Sequence, residues 1–227
     1  MAEARIFRAL DPGAIDALAA RARKVAVRKG QALFAQGEAA DAVYLVLTGR
    51  VKILETGPDG RGVVLRVEGP GALLGLLAAL GVDRYPVTAQ VTEPCAAARW
   101  SGKDLEAVMR AHPQIALGVL PMVLARLREL QDQYRELSTE RVERRVARAV
   151  MRLARQLGRR TDEGVRVDAA LTRQELAEMT GTTLFTVSRI LSQWAADGVL
   201  ATRGKRLLIR QPHALARIAE DFEEPGR

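Results

Sequence analysis

The chain has 227 residues, 48% of them hydrophobic and 27% charged, with a formal net charge of +8. That length holds one large domain or two ordinary ones, and the composition is that of a soluble globular protein. A single cysteine, Cys95, excludes an internal disulfide and any all-cysteine cluster within the chain.

The first residues, MAEARIFRALD, carry no apolar signal core, and the stretch GALLGLLAALGV is too short to span a bilayer. A reducing, cytoplasmic home is therefore expected. Residues 25–100 alternate short apolar runs with glycine punctuation. VYLVLTG, RVKIL and GVVLRV have strand length and β-branched content, GPDG signals a turn, and PVTAQV and CAAARW would close the set. Short strands at near-regular spacing predict a β barrel or sandwich-like domain. Its charged loop around Asp59–Arg66 is either a contact surface for a protein partner or simply solvent-facing.

Residues 113–137 change period. Ala116, Leu120, Val123, Leu127, Leu130, Tyr134 and Leu137 are spaced alternately by four and three, a heptad seam suited to dimerisation. Arg126, Arg128, Glu129, Asp132, Arg135 and Glu136 are expected to keep the other faces wet, and Pro121 predicts a kink or break. Next, Arg141, Arg145, Arg148, Arg152, Arg155 and Arg159 form a cationic stripe beside Val142, Val146, Val150, Leu153 and Leu157. That stripe is expected to be a solvated helix face, and GRRTDEG a loop.

LTRQELAEMTG opens on a capping box, Thr172 with Glu175, and Gly181 supplies a tight break. Thr182 or Thr183 can then cap a second helix running to about Asp197, with Leu184, Val187, Ile190, Leu191 and Trp194 inward. Two short helices joined through glycine are the helix-turn-helix pattern. VLATRGKRLLIR follows as a hairpin, a wing with Arg203, Lys205 and Arg206 at its tip. Residues 138–218 hold 16 cations against 8 anions, which points to a polyanion. Double-stranded DNA fits a helix-turn-helix better than an anionic membrane does. The predicted DNA-facing set is Arg189, Ser188, Thr186, Thr183, Thr182, Phe185, Arg173, Arg203, Lys205 and Arg206. Arg189 is placed to take guanine O6 and N7, and whichever of Leu184 and Phe185 is exposed to meet a thymine methyl. His112 and His213 fall in different predicted domains, and no nucleophile elbow, phosphate loop or metal-spaced cluster occurs, so no enzyme, catalytic residue or metal site is expected.

Taken together, GQALFAQGEAADAVYLVLTGRVKIL, GPGALLGLLAALG, the heptad helix and LTRQELAEMTGTTLFTVSRIL…DGVL resemble the CRP/FNR superfamily of bacterial transcription regulators over nearly the whole chain. The resemblance implies an α+β fold: an N-terminal cyclic-nucleotide-binding-like β-roll (1–112), a dimerisation helix (113–137) and a C-terminal winged helix-turn-helix (138–227). It further implies a homodimer on a pseudo-palindromic promoter site, contacting RNA polymerase as an activator does. An effector in the β-roll would shift the dimer helix. Dimerisation would fall to Leu120, Val123, Leu127, Leu130, Tyr134 and Leu137, and the effector pocket to Leu73, Leu74, Gly75, Leu76, Arg84 and Tyr85.

Departures from the family pattern bear on the effector. Cyclic-AMP-binding members carry a glutamate after the cassette glycine and an Arg-Ser or Arg-Thr pair; here Leu76 follows Gly75, and Tyr85-Pro86 follow Arg84. These departures argue against cyclic AMP and leave Arg84 alone to hold an anion. RYPVTAQV and GTTLFTVSRILSQW are similar to the branch responding to nitrogen oxides, including haem-dependent sensors. The leucine-lined segment would suit haem, another apolar effector or a plain core, with His112 and Cys95 the candidate axial ligands. A sensory protein acting mainly through protein contacts, or a member regulated by abundance with no effector, are the alternatives.

Overall fold

The computed structural model describes residues 10–60, 62–168, 171–204 and 206–220, with the backbone alone at Arg203. They fall into two compact units. One runs to Gly62 and from Arg66 to Leu130; the other comprises Val63–Leu65 and the residues from Gln131 onward.

The first unit opens with α1 (Pro12–Arg21), which the sequence reading did not anticipate. The Asp11 carboxylate accepts from the Ala14 N–H at 2.8 Å and Pro12 fills the first helical position, so the helix start is chemically specified. Strands β1 (Arg23–Val27), β2 (Ala32–Phe34), β3 (Ala42–Thr56), β4 (Gly62–Glu68), β5 (Leu73–Leu74) and β6 (Thr88–Ser101) follow. They form one sheet, ordered β1-β6-β3-β4, with β2 against β6 and β5 against β3. The antiparallel β3–β6 pair runs from Ala42 opposite Ser101 to Leu54 opposite Thr88.

VYLVLTG and RVKIL, expected as two strands, are thus one, and so are PVTAQV and CAAARW. The interruptions between these segments, at Gly49 in one and ahead of Cys95 in the other, fall at bulges inside continuous strands. Gly49 has φ +88°, and a Cβ there would lie 2.4 Å from the Pro94 carbonyl oxygen, so only glycine lets the strands approach.

α2 (Gly102–Ala111) and α3 (Pro113–Thr139) complete this half of the chain order. Trp100, Leu105, Val108, Ile115 and Val119 close with Leu18, Val43 and Leu45 into one apolar cluster, and the Trp100 indole N–H donates to the Leu18 carbonyl at 2.7 Å. α3 runs unbroken through Pro121, which corrects the expected break. Pro121 is exposed, as is Leu117, whose carbonyl loses its helical partner there, so water can take that bond. Ile115 and Val119 face the core, whereas Leu120, Val123, Leu127, Leu130, Tyr134 and Leu137 are between 46% and 75% exposed. No single described helix is long and apolar enough to cross a membrane.

The second unit contains α4 (Val142–Leu157), β7 (Gly158–Thr161), β8 (Gly164–Val167), α5 (Arg173–Met179) and α6 (Leu184–Ala196). It ends with β9 (Leu200–Arg203), β10 (Arg206–Ile209) and α7 (Pro212–Glu220). GRRTDEG is not a loop: β7 and β8 pair as a hairpin and extend the wing into a four-stranded sheet, β7-β8-β10-β9. Arg159 consequently lies in β7, where it pairs with Asp168 at 2.9 Å rather than continuing the helix.

The cationic stripe is corrected too. Arg152 Nη1 bonds both oxygens of Glu136, at 2.9 and 2.8 Å, and Arg148 reaches Glu140 at 3.4 Å and the Ala219 carbonyl at 2.8 Å. Arg144 also pairs with Glu140. Glu136, expected on a wet face, is only 5% exposed. Arg141 and Arg155 remain outward, but the middle of the stripe is internal structure.

Candidate nucleic-acid interface

α5 begins as its capping box dictates. The Glu175 N–H donates to Thr172 Oγ1 at 3.1 Å, and Glu175 Oε2 accepts from the Thr172 N–H at 2.7 Å. Leu176 and Ala177 are buried, and the Thr180 hydroxyl closes the helix on the Leu176 carbonyl at 2.7 Å. Gly181 turns the chain at φ +60°, with the Leu137 side chain so close that an added Cβ would lie 2.7 Å from its Cδ2. Arg145 holds that turn from α4. Its guanidinium donates to the carbonyls of Thr180 at 3.0 Å, Gly181 at 3.2 Å and Glu140 at 3.1 Å.

Of the two candidate caps, Thr183 is the one used: its Oγ1 accepts from the Thr186 N–H at 3.2 Å and sits 3.0 Å from the Thr186 hydroxyl. Thr182 lies in the turn, its N–H donating to the Ala177 carbonyl at 3.0 Å. Val187, Ile190, Leu191 and Trp194 bury the inner side of α6, and the Trp194 indole N–H donates to Glu143 at 3.0 Å. The opposite side carries Arg189, exposed and without an ion pair among the described residues, and Phe185, 84% exposed. Phe185 therefore points outward. Leu184, expected inward, is instead 39% exposed because the helix buries only its Val187, Ile190, Leu191 and Trp194 side, and Ser188 and Thr186 are half-buried.

The wing pairs β9 with β10 from Leu200 opposite Ile209 to Arg203 opposite Arg206, and Gly204 turns it at φ +63°. Arg206 is exposed; Lys205 lies outside the described residues. A cleft of about 340 Å³ brings the starts of both helices to the wing, with Arg173, Gln174, Leu184, Thr202, Gly204 and Arg206 among its walls. Arg173, Leu184 at the start of α6, and Arg206 thus line one cleft. Gln174 and Arg145 were missed. The place of Gln174 one residue after Arg173 could have flagged it, whereas the bonds of Arg145 depend on tertiary neighbours.

The residues read as an effector pocket make the following contacts. Leu74 is buried, and Leu73 and Leu76 pack against the Trp100 cluster. A Cβ on Gly75 would fall 2.7 Å from the Ala42 carbonyl oxygen. Tyr85 is 3% exposed, stacked on Phe34 with centroids 4.0 Å apart, and its hydroxyl bonds the Ala42 N–H at 3.0 Å and carbonyl at 2.6 Å. Arg84 is exposed and donates to the Gly37 carbonyl at 2.6 Å. Cys95 is buried in β6, and burial pushes its thiol up, the reverse of what a thiolate ligand needs. His112 ends α2, its N–H closing on Val108. No cluster of three or more metal-ligating side chains occurs among the described residues.

Two protein families match the chain: the cyclic nucleotide-binding domain over residues 24–112 and the Crp-like helix-turn-helix domain over residues 144–218. A CRP-like cAMP-activated global transcriptional regulator of Mycobacterium tuberculosis is 31% identical over 219 residues, covering 96% of this chain and 98% of that protein. The fumarate and nitrate reduction regulatory protein of Escherichia coli is 26% identical over 197 residues, covering 87% and 78%. Among solved structures, FixK2 from Bradyrhizobium japonicum superposes with a TM-score of 0.76 at 25% identity, covering 87% of this chain and 96% of that one.

Proposed function

The chain belongs to the CRP/FNR superfamily of DNA-binding transcription regulators, and from that premise we propose that it acts as a homodimer on a pseudo-palindromic promoter site, under allosteric control from its β-roll. One observation carries the dimer. A single copy of α3 leaves Leu120, Val123, Leu127, Leu130, Tyr134 and Leu137 in water at heptad spacing, although Ile115 and Val119 of the same helix are buried. A second copy of the helix covers that seam and removes the cost of exposing it. Two-fold symmetry then sets two recognition helices against an inverted repeat with half-site centres roughly 34–36 Å apart.

Within each half-site Arg189 takes a guanine. Arg173, Arg206 and the hydroxyl-bearing start of α6 hold phosphate, and the bound dimer contacts RNA polymerase. The effector in this reading is not cyclic AMP. Leu76 offers no acceptor for a ribose hydroxyl, Tyr85-Pro86 follow Arg84 where a Ser or Thr would help hold the phosphate, and the Tyr85 hydroxyl is engaged by Ala42. Calorimetric titration with cyclic AMP should give no binding heat; saturable binding that tightens DNA binding would overturn this part.

Selection from random oligonucleotides tests the whole reading. An enriched inverted repeat bound by two chains supports it. The absence of any enriched motif refutes it, and favours a sensory protein that acts through protein contacts.

A further inference from the structure

We propose that Phe185, with Leu184 beside it, makes this protein a reader of 5-methyl groups in the major groove, so that each half-site carries a thymine within about two base pairs of the guanine taken by Arg189. The inference rests on the DNA-binding reading above and deepens it.

α6 does not need Phe185 for folding. Its inner side is complete in Val187, Ile190, Leu191 and Trp194, whereas Phe185 is 84% exposed, the highest value for a large apolar side chain among the described residues. Phe185 is the second residue of the helix, at the end that enters the groove. Arg189 stands four residues on, so the two side chains share a face about 6 Å apart along the axis, roughly two base-pair steps.

Chemistry selects what that ring meets. A phenyl group neither donates nor accepts a hydrogen bond, so over cytosine N4 or guanine O6 it would leave a desolvated polar edge unpaired. The apolar feature of the major groove is the thymine C5-methyl, which 5-methylcytosine reproduces. The surroundings argue against a protein partner. Thr183, Thr186 and Arg189 flank the two apolar side chains along α6, Arg173 shares a cleft wall with Leu184, and so small an island is far below the area of a specific protein interface.

The test uses the selected site with each thymine replaced in turn by deoxyuridine, which removes the methyl alone. One position per half-site should weaken binding about fourfold, and about sixteenfold when both half-sites are changed, as expected for burying one methyl each. Phe185→Ala should bind thymine and deoxyuridine duplexes equally while still requiring the guanine. Placing 5-methylcytosine rather than cytosine at that position should tighten binding of the native protein. Deoxyuridine duplexes that bind as tightly as thymine at every position, or a penalty that persists in Phe185→Ala, would refute the inference and leave the regulator intact. Failure to recover any site at all would instead refute the DNA-binding reading beneath it.

Discussion

Replacing Glu136 by alanine should destabilise the DNA-binding unit far more than a helix-surface substitution does. The Glu136 side chain is 7% exposed and takes both of its short bonds from Arg152, itself 15% exposed, with Arg148 at 3.7 Å. Breaking a buried pair from one side costs about 3–5 kcal/mol, because the stranded guanidinium stays where water reaches it poorly. Arg152 keeps some solvent and Arg148 keeps Glu140 at 3.4 Å. These reduce the expected loss to about 2–3 kcal/mol, still at least twice the value of an exposed pair. The assay is urea unfolding read by tryptophan fluorescence, applied to a double-mutant cycle of Glu136→Ala and Arg152→Ala. A coupling of about 2 kcal/mol is expected, and Glu136→Leu with Arg152→Met should recover most of the stability. A coupling below about 0.5 kcal/mol, the range of solvent-exposed ion pairs, would refute the claim that this network welds the last turns of α3 to α4.

Leu127→Glu with Leu130→Glu should raise the dimer dissociation constant by at least about a hundredfold while leaving the chain folded, since each carboxylate would be buried unpaired. Sedimentation equilibrium reads this, and an unchanged dimer mass would place the interface elsewhere. Gly181→Ala should cost about 1–2 kcal/mol, because alanine is strained at φ +60° and its Cβ would press on Leu137; unchanged urea unfolding would contradict it. Burial raises the Tyr85 phenol above its ordinary value near 10, so the fold favours the neutral form. Its contribution is therefore complete below about pH 10 and is lost as pH rises through the folded value. Tyr85→Phe should cost about 1–3 kcal/mol at neutral pH by stranding the Ala42 N–H, and should flatten the alkaline fall of the melting temperature. An unchanged alkaline profile would show that Tyr85 is not its source.

The recognition motif was legible because its signals are local. A capping box, a glycine at φ +60° and an apolar side at helical spacing each act within a few residues, and all recur in α5 and α6. The heptad seam was legible for the same reason. The β7–β8 hairpin was not: Gly158, Arg159, Arg160 and Thr161 are all exposed, so no apolar alternation marks a strand, and its order comes from pairing with β8. Gly49 read as punctuation because composition does not distinguish a turn from a bulge held by a partner strand. The arginine stripe misled most. Its spacing placed the cations on one face, but only the fold brings Glu136, Glu140 and the Thr180 carbonyl to meet them. Phe185, ambiguous between core and surface by periodicity, became unambiguous once Val187 and Ile190 fixed the rotation of α6.

Sequence-specific reading of DNA through Arg189 is tested most directly by a gel-shift titration of Arg189→Ala, on the selected duplex and on a scrambled one, at two salt concentrations. Affinity for the selected site should fall to that for the scrambled duplex, and the residual binding should weaken steeply with salt. Full retention of site preference by Arg189→Ala would contradict the assignment of Arg189 as the residue that reads the base.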